Sequence, residues 1–138
     1  MPVRRVPCLF NFDCNGAPER STPDLPFIAL GAGQPIADPF LAFLKRLLWA
    51  ETSPNLAEGR LAAVWTIDHV RLTHPGGVGG RIQLATLSAE GDKQPIVSML
   101  TEEDIQEHLQ HVRAAEDALV RELRALRAGE APELPAAP

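Results

Sequence analysis

The sequence has little cysteine, no long hydrophobic run and no cluster of basic residues. Two cysteines cannot staple a chain of 138 residues, so they favour a reducing, cytoplasmic location. Charged residues interrupt every apolar stretch before it reaches the length of a membrane-spanning helix. The N-terminal residues 1–7 carry charge but lack the apolar segment of a secretory signal. These absences exclude a disulfide scaffold, a membrane span and a secreted precursor.

Charge and composition narrow the class further. The net charge is −5 and no cluster of Lys and Arg exceeds two residues, which argues against nucleic acid as the main partner. Hydrophobic residues make up 45% and charged residues 22%, as in ordinary globular proteins. The length predicts one domain. We place it at residues 6–128, between an N-terminal tail at 1–5 and an Ala/Pro/Glu-rich tail at 129–138 that we expect to be disordered.

The hydrophobic pattern predicts four strands and three helices, in the order strand, strand, helix, helix, strand, strand, helix. Apolar residues predict strands at 6–12, 25–30, 81–87 and 94–100. Residues 13–16 read Asp-Cys-Asn-Gly, a turn signal, so we expect the first two strands to form a loose hairpin. Four glycines and a proline predict a loop at 74–80.

Apolar residues at 3–4 spacing predict the helices. The first covers about 39–49, with Asp38 as N-cap and Pro39 in the first turn. The second runs to about residue 72 from Asn55, which can form a capping box with Glu58. The third is long, begins after Thr101 and stops at glycine 129. Its apolar stripe is broken at residue 116 and comprises Ile105, Leu109, Val112, Leu119, Leu123 and Leu126.

The predicted fold class is α+β, with four mainly antiparallel strands, a helix pair on one face and a long C-terminal helix. Two of the strands, 25–30 and 94–100, have almost no polar face. Strands of this kind belong to sheets that are covered on both sides. The helices can cover one side, so the other side requires a second sheet or a partner subunit.

Motifs for catalysis or cofactor binding are incomplete. The turn at 31–33 reads Gly-Ala-Gly, but position 36, where a dinucleotide fingerprint has its third glycine, is Ile36. The glycine loop at 74–80 lacks the lysine of a phosphate-binding loop. His108 and His111 lie three apart on a helix, which is more typical of a solvated face than of a metal site. We therefore predict no catalytic residue, no metal and no cofactor in this chain.

Four strings in the order of the chain together resemble one family. Residues 27–33, FIALGAG, resemble the segment that ends a strand and opens a helix in proteasome subunits. Residues 55–59, NLAEG, resemble the start of their next helix, and residues 78–87 resemble a "SGGxIxVxxL" strand. Residues 91–105 resemble the last strand and closing helix, where the family often reads "LSDEEI". Over about 100 residues, the chain resembles the C-terminal half of proteasome-type N-terminal-nucleophile hydrolases, including their bacterial homologues.

The resemblance implies half of a four-layer αββα sandwich that assembles into rings. In that family an N-terminal threonine attacks, its own amine acts as base, and a lysine and an aspartate assist, all in the half that has no counterpart here. Three support positions are altered. Ala32 stands for the serine of the "GSG" turn, and Pro75 and Val78 stand for the aspartate and serine of "D-x-x-S-G". Activation of a nucleophile needs such proton-trading groups.

The sequence leaves three hypotheses open. The first is a proteasome-like subunit or half-subunit that is not catalytic by itself and pairs with itself or with a partner subunit over the open sheet face. The second is the C-terminal part of an active N-terminal-nucleophile amide hydrolase of the threonine-peptidase type. The third is an unrelated α+β module that mediates dimerisation or another protein interaction.

Overall fold

The computed structural model describes residues 8–49, 54–89 and 93–129. Within these ranges the elements are β1 (Phe10–Phe12), β2 (Pro18–Arg20), α1 (Gln34–Leu48), α2 (Leu56–Thr73), β3 (Ala85–Ser88), β4 (Ile96–Met99) and α3 (Glu102–Arg127). The structure is of the α+β class, with three helices and two antiparallel two-stranded sheets. The predicted tail at 1–5, and 130–138 of the predicted C-terminal tail, lie outside the described residues.

The turn at residues 13–16 forms as predicted, because side-chain and backbone groups close it locally. The Asp13 carboxylate accepts hydrogen bonds from the backbone N–H groups of Asn15 and Ala17, each at 2.8 Å. Gly16 has a φ of 80°, which favours glycine. The Ala17 and Asn15 amides stabilise the charged carboxylate and lower the pKa of Asp13.

The prediction of a second strand at 25–30 is wrong. β1 pairs instead with β2, which follows the turn directly, and residues 26–30 form no strand. A strand is defined by its hydrogen-bonded partner, and the apolar composition of this segment does not provide one. Residues 6 and 7 of the predicted first strand lie outside the described ranges.

Helix α1 begins five residues before its predicted start. Its N-cap is Gly33 and not Asp38. Pro35 lies in the first turn, where a missing N–H removes no helix bond. Pro39 therefore lies inside the helix, and the carbonyl of Pro35 lacks its usual donor. Pro35 and Pro39 are both suited to the first turn of a helix, and in the structure Pro35 occupies it.

The predicted capping box of α2 is confirmed, and α3 begins at its predicted position with a capping box that was not predicted. In α2, Glu58 N–H donates to the Asn55 side chain at 2.8 Å, and Asn55 N–H donates to the Glu58 carboxylate at 3.0 Å. In α3, Thr101 and Asp104 form the equivalent box at 3.1 and 2.9 Å. The backbone N–H and hydroxyl of Thr101 lower the pKa of Asp104. Both helices thus begin where their sequences predict.

Helix α2 is the centre of the molecule. One core cluster joins it to α1 and α3 and consists of Leu44, Trp49, Ala62, Trp65 and Val112. A second cluster joins it to α3 and to the chain that precedes β3, and consists of Val64, Ile82 and Ile105. Six residues of α2 are buried, among them Val64 and Trp65.

Polar contacts also fasten α3 to α2. Asp68 is 5% exposed, and its Oδ2 lies 2.9 Å from Nη2 of Arg113, an ion pair without hydrogen-bond geometry. Burial opposes the charge on Arg113, but the Asp68 and Glu116 carboxylates outweigh it and raise the pKa of the guanidinium. The Trp65 indole N–H donates to Glu116 at 3.2 Å.

The apolar stripe of α3 is covered over its first half only. Ile105 and Val112 are buried, whereas Leu119, Leu123 and Leu126 are about half exposed or more. The contacts with α2 reach Glu116, and the described core clusters include no apolar residue of α3 beyond Ala115. The predicted stripe, broken at Glu116, runs on to Leu126, but α2 is too short to cover all of it.

The four predicted strands do not form one sheet in the described part of the chain. β3 pairs only with β4, with Ala85 opposite Met99 and Leu87 opposite Val97. The strands are shorter than predicted, because residues 81–84 and 94–95 lie outside the paired region. The glycine loop at 74–80 has neither helix nor strand, as predicted.

Candidate assembly surface

An apolar groove with a volume of about 650 Å³ lies among four main parts of the chain. They are residues 26–30 with the turn that follows, helix α1 with Trp49 at its end, helix α2, and residues 77–79 of the glycine loop; Leu9 and Pro54 also line it. No lining residue has an ionisable side chain. The hydroxyl of Thr66 donates to the backbone carbonyl of Ala62 at 2.7 Å, so it is already satisfied. The side chains that line the groove are therefore mainly apolar, and none of them is charged.

Residues 27–30 present backbone groups without partners at this groove. In the described part of the chain, no hydrogen bond involves an N–H or C=O of these four residues. Their side chains are half-buried, except that Leu30 is 68% exposed. A smaller depression of about 200 Å³ lies against Phe27, Ile28 and Ala29 from the side of the first hairpin. Backbone groups in this state can accept a further strand.

Trp49 is the polar residue of the groove that lacks a partner. It ends helix α1, lines the groove and is 6% exposed. Its indole N–H is buried without a hydrogen-bond partner among the described residues. The other tryptophan, Trp65, has satisfied its indole through Glu116. A buried N–H without an acceptor costs about 1–3 kcal/mol, so an incoming acceptor would stabilise this position.

One face of the β3–β4 sheet is apolar and uncovered. The register places Ala85 beside Met99 and Leu87 beside Val97, so all four side chains lie on the same face. Leu87 is 52%, Val97 68% and Met99 63% exposed. This observation matches the predicted lack of a polar face in residues 94–100. The described residues leave this face without cover.

The opposite face of the same sheet turns toward the body. Thr86 is buried, and its hydroxyl lies 3.4 Å from the guanidinium of Arg60 on α2. The buried Ile82 and the half-buried Leu84 precede β3 in the chain and pack in the core cluster of α2 and α3. On β4, Ile96 and Ser98 of this same face are exposed, so the sheet meets the body mainly through Thr86 on β3.

Two of the three positions that the resemblance singled out as altered lie at the groove. Ala32 lies in the turn before α1 and Val78 in the glycine loop, and both line it. A Cβ at the neighbouring Gly33 would lie 3.4 Å from Val78 and 2.6 Å from Val70, which shows how closely these parts approach. Pro75 is exposed and does not line the groove. None of the three positions provides a polar side-chain atom.

The histidines do not converge. His108 contacts the backbone carbonyl of Asp104 at 2.6 Å, and the ring of His69 stacks on Phe40 at 4.1 Å. In the described ranges, no three His, Cys, Asp or Glu side chains are grouped so that they could hold a metal ion. None of the helices there combines the length and the apolar character that crossing a membrane requires.

General acid–base catalysis needs a titratable group at the site, and the described residues that line the groove include none. Sequence reasoning missed both Trp49 and the unpaired backbone of 27–30. Trp49 was placed only as the last residue of a helix, and nothing in its local sequence shows that its indole lacks an acceptor. Comparison with family models, with curated proteins and with solved structures finds no match to this chain.

Proposed function

We propose that this chain is a non-catalytic assembly unit that works inside a self-assembled or hetero-oligomeric particle. Its sequence resemblance to the C-terminal half of proteasome-type subunits suggests a half-subunit whose sheet is covered by a second polypeptide. The observation that carries the proposal is the apolar face of β3 and β4, where Leu87, Val97 and Met99 are each more than half exposed.

Further exposed apolar side chains support a partner as well. Ile96 on the other face of β4 is 62% exposed, and Leu30 at the groove is 68% exposed. Apolar side chains that are exposed together mark surfaces at which proteins interact.

The chemistry of the groove supports an absence of catalysis by the chain alone. Ala32 and Val78 stand at the groove where the family has hydroxyl groups, and neither can orient a nucleophile or accept a proton. Under the hydrolase alternative, all reacting groups would come from another polypeptide.

A second candidate is an α+β interaction module unrelated to that family. It is favoured by the two separate two-stranded sheets, which are not the four-stranded half-sandwich that the resemblance implies. This module would use the same open face, so the first experiment addresses the surface that both candidates share.

The experiment measures the native mass of the purified full chain and of a variant with Leu87→Glu and Val97→Lys. These residues are cross-strand neighbours, so opposite charges preserve the sheet while making its open face polar. We expect the parent to exceed 15.0 kDa and the variant to fall to the monomer with its helical signal intact. The matched control is Leu47→Glu on α1, where the leucine is 55% exposed. A parent of monomeric mass, or a variant that stays assembled, would contradict the proposal.

A further inference from the structure

We propose that the groove binds an extended, apolar and uncharged strand of a partner polypeptide. The strand pairs through its backbone with residues 27–30, and one of its carbonyls accepts the indole N–H of Trp49. The inference deepens the assembly role and rests on it for the source of the strand. Binding of a suitable peptide can nevertheless be tested independently of oligomeric state.

The first argument is the backbone of residues 27–30. These residues have four carbonyls and four N–H groups that no hydrogen bond of the described chain uses. Residues 27–29 are half-buried, so the segment lies against the body and not free in solvent. Strand addition satisfies such groups through main-chain hydrogen bonds, and pockets for alternate side chains add specificity.

The second argument is the chemistry of the lining. A groove with no ionisable side chain cannot compensate a buried charge, so charged residues of a ligand are excluded from it. Its volume of about 650 Å³ lies within the range of ligand sites that are lined mainly by apolar residues. A short apolar segment fits both the volume and the absence of charge.

The third argument is Trp49, which is 94% buried and has an indole N–H without an acceptor. Apolar side chains cannot satisfy this group, whereas every residue of an extended peptide has a carbonyl that can. The indole nitrogen is fully buried in the free chain, so the proposal includes a movement of the side chains that cover it. A bound helix is a poorer fit, because its carbonyls are engaged in its own hydrogen bonds. Trp49 and residues 27–30 therefore point independently to an extended ligand.

The probe is a synthetic peptide of five alternating valines and leucines, with two lysines at each end for solubility. Two control peptides carry backbone N-methyl groups at the odd or the even apolar positions. Successive N–H groups of an extended strand point to opposite sides, so one control loses its hydrogen bonds to residues 27–30. We expect that control to bind at least about tenfold more weakly, since several hydrogen bonds are lost together.

The protein variants test the indole. Trp49→Phe keeps an aromatic ring and removes the N–H, and we expect peptide binding to weaken about fivefold, the loss of one neutral hydrogen bond. Trp65→Phe is the matched control, because its N–H is engaged by Glu116 and it does not line the groove. Circular dichroism of both variants verifies that the fold is retained.

The readout is two-dimensional ¹H–¹⁵N NMR of the full chain. On binding, the Trp49 indole proton should shift downfield and the amide protons of 27–30 should become protected from exchange. Equal affinity of all three peptides, unprotected amides at 27–30, or no binding would each overturn the inference. The same titration on the Leu87→Glu, Val97→Lys variant separates the two proposals. A monomeric variant that still binds the peptide supports both proposals, because the groove is then intact while the sheet face is disrupted. A parent chain that is monomeric by native mass and still binds the peptide would refute the assembly role and leave the groove assignment standing.

Discussion

The ion pair between Asp68 and Arg113 provides a stringent test of how α3 is fastened to α2. Asp68 is 5% exposed, whereas the side chain of Arg113 is 49% exposed, and the two groups are 2.9 Å apart. Removing one partner of a fully buried pair costs about 3–5 kcal/mol, and exposed pairs contribute about 0–1 kcal/mol. This pair lies between these limits, so we expect Arg113→Met to lower the free energy of unfolding by about 2 kcal/mol.

The reason for this loss is the carboxylate that remains buried without its cation. Replacing Asp68 with Asn in the same chain should therefore restore part of the stability. In a double-mutant cycle of Arg113→Met and Asp68→Asn, we expect a coupling free energy of about 1 kcal/mol or more.

Urea unfolding, followed by circular dichroism at pH 7, gives the four free energies of the cycle. Arg121→Met is the matched control, because Arg121 is an exposed arginine on the same helix. If Arg113→Met costs no more than this control, or if the two single effects simply add, the pair does not fasten α3 and the reasoning is refuted.

Three further predictions follow from burial, titration and the free end of α3. Leu44→Ala removes a side chain that is 0% exposed and should cost about 3 kcal/mol in urea unfolding. Leu47→Ala, at 55% exposure, should cost under about 1 kcal/mol, and equal losses would contradict the assigned core. The lowered pKa of Asp104 belongs to the folded state, so its contribution is present above pH 3.8 and is lost as pH falls through the folded pKa. An NMR titration in which Asp104 titrates at or above 3.8 would refute this cap. Finally, Leu119→Asp should leave the native mass of the assembled chain unchanged, because the proposed interface is the sheet face; dissociation to a monomer would show that α3 holds the particle together.

Features stabilised by neighbouring residues could be read from the sequence. The capping boxes at Asn55 and Thr101 each close between residues three positions apart. The turn at Asp13 likewise depends on the next four residues. Residues that are close together in the sequence therefore determine where α2, α3 and the first turn begin. The predicted starts of all three agree with the structure.

The sequence predicted only part of the candidate site. Apolar composition predicted an open surface that needs a cover, and an uncovered face does occur at Leu87 and Val97. The resemblance singled out Ala32 and Val78, which are 46 positions apart by their numbers in the sequence and line one groove. Neither approach indicated Trp49, because the satisfaction of an indole N–H depends on acceptors that are distant in sequence.

Tertiary structure alone decided which apolar segments became strands and which apolar faces were covered. Residues 25–30 have a strand-like composition, but β2 pairs with β1 and leaves them unpaired. The apolar stripe of α3 runs to Leu126, but only the part that packs against α2 is covered. Helix caps and turns close through local hydrogen bonds, so the sequence by itself determined them. Pairing and burial require a second surface from elsewhere in the chain, and only the folded structure shows where that surface ends.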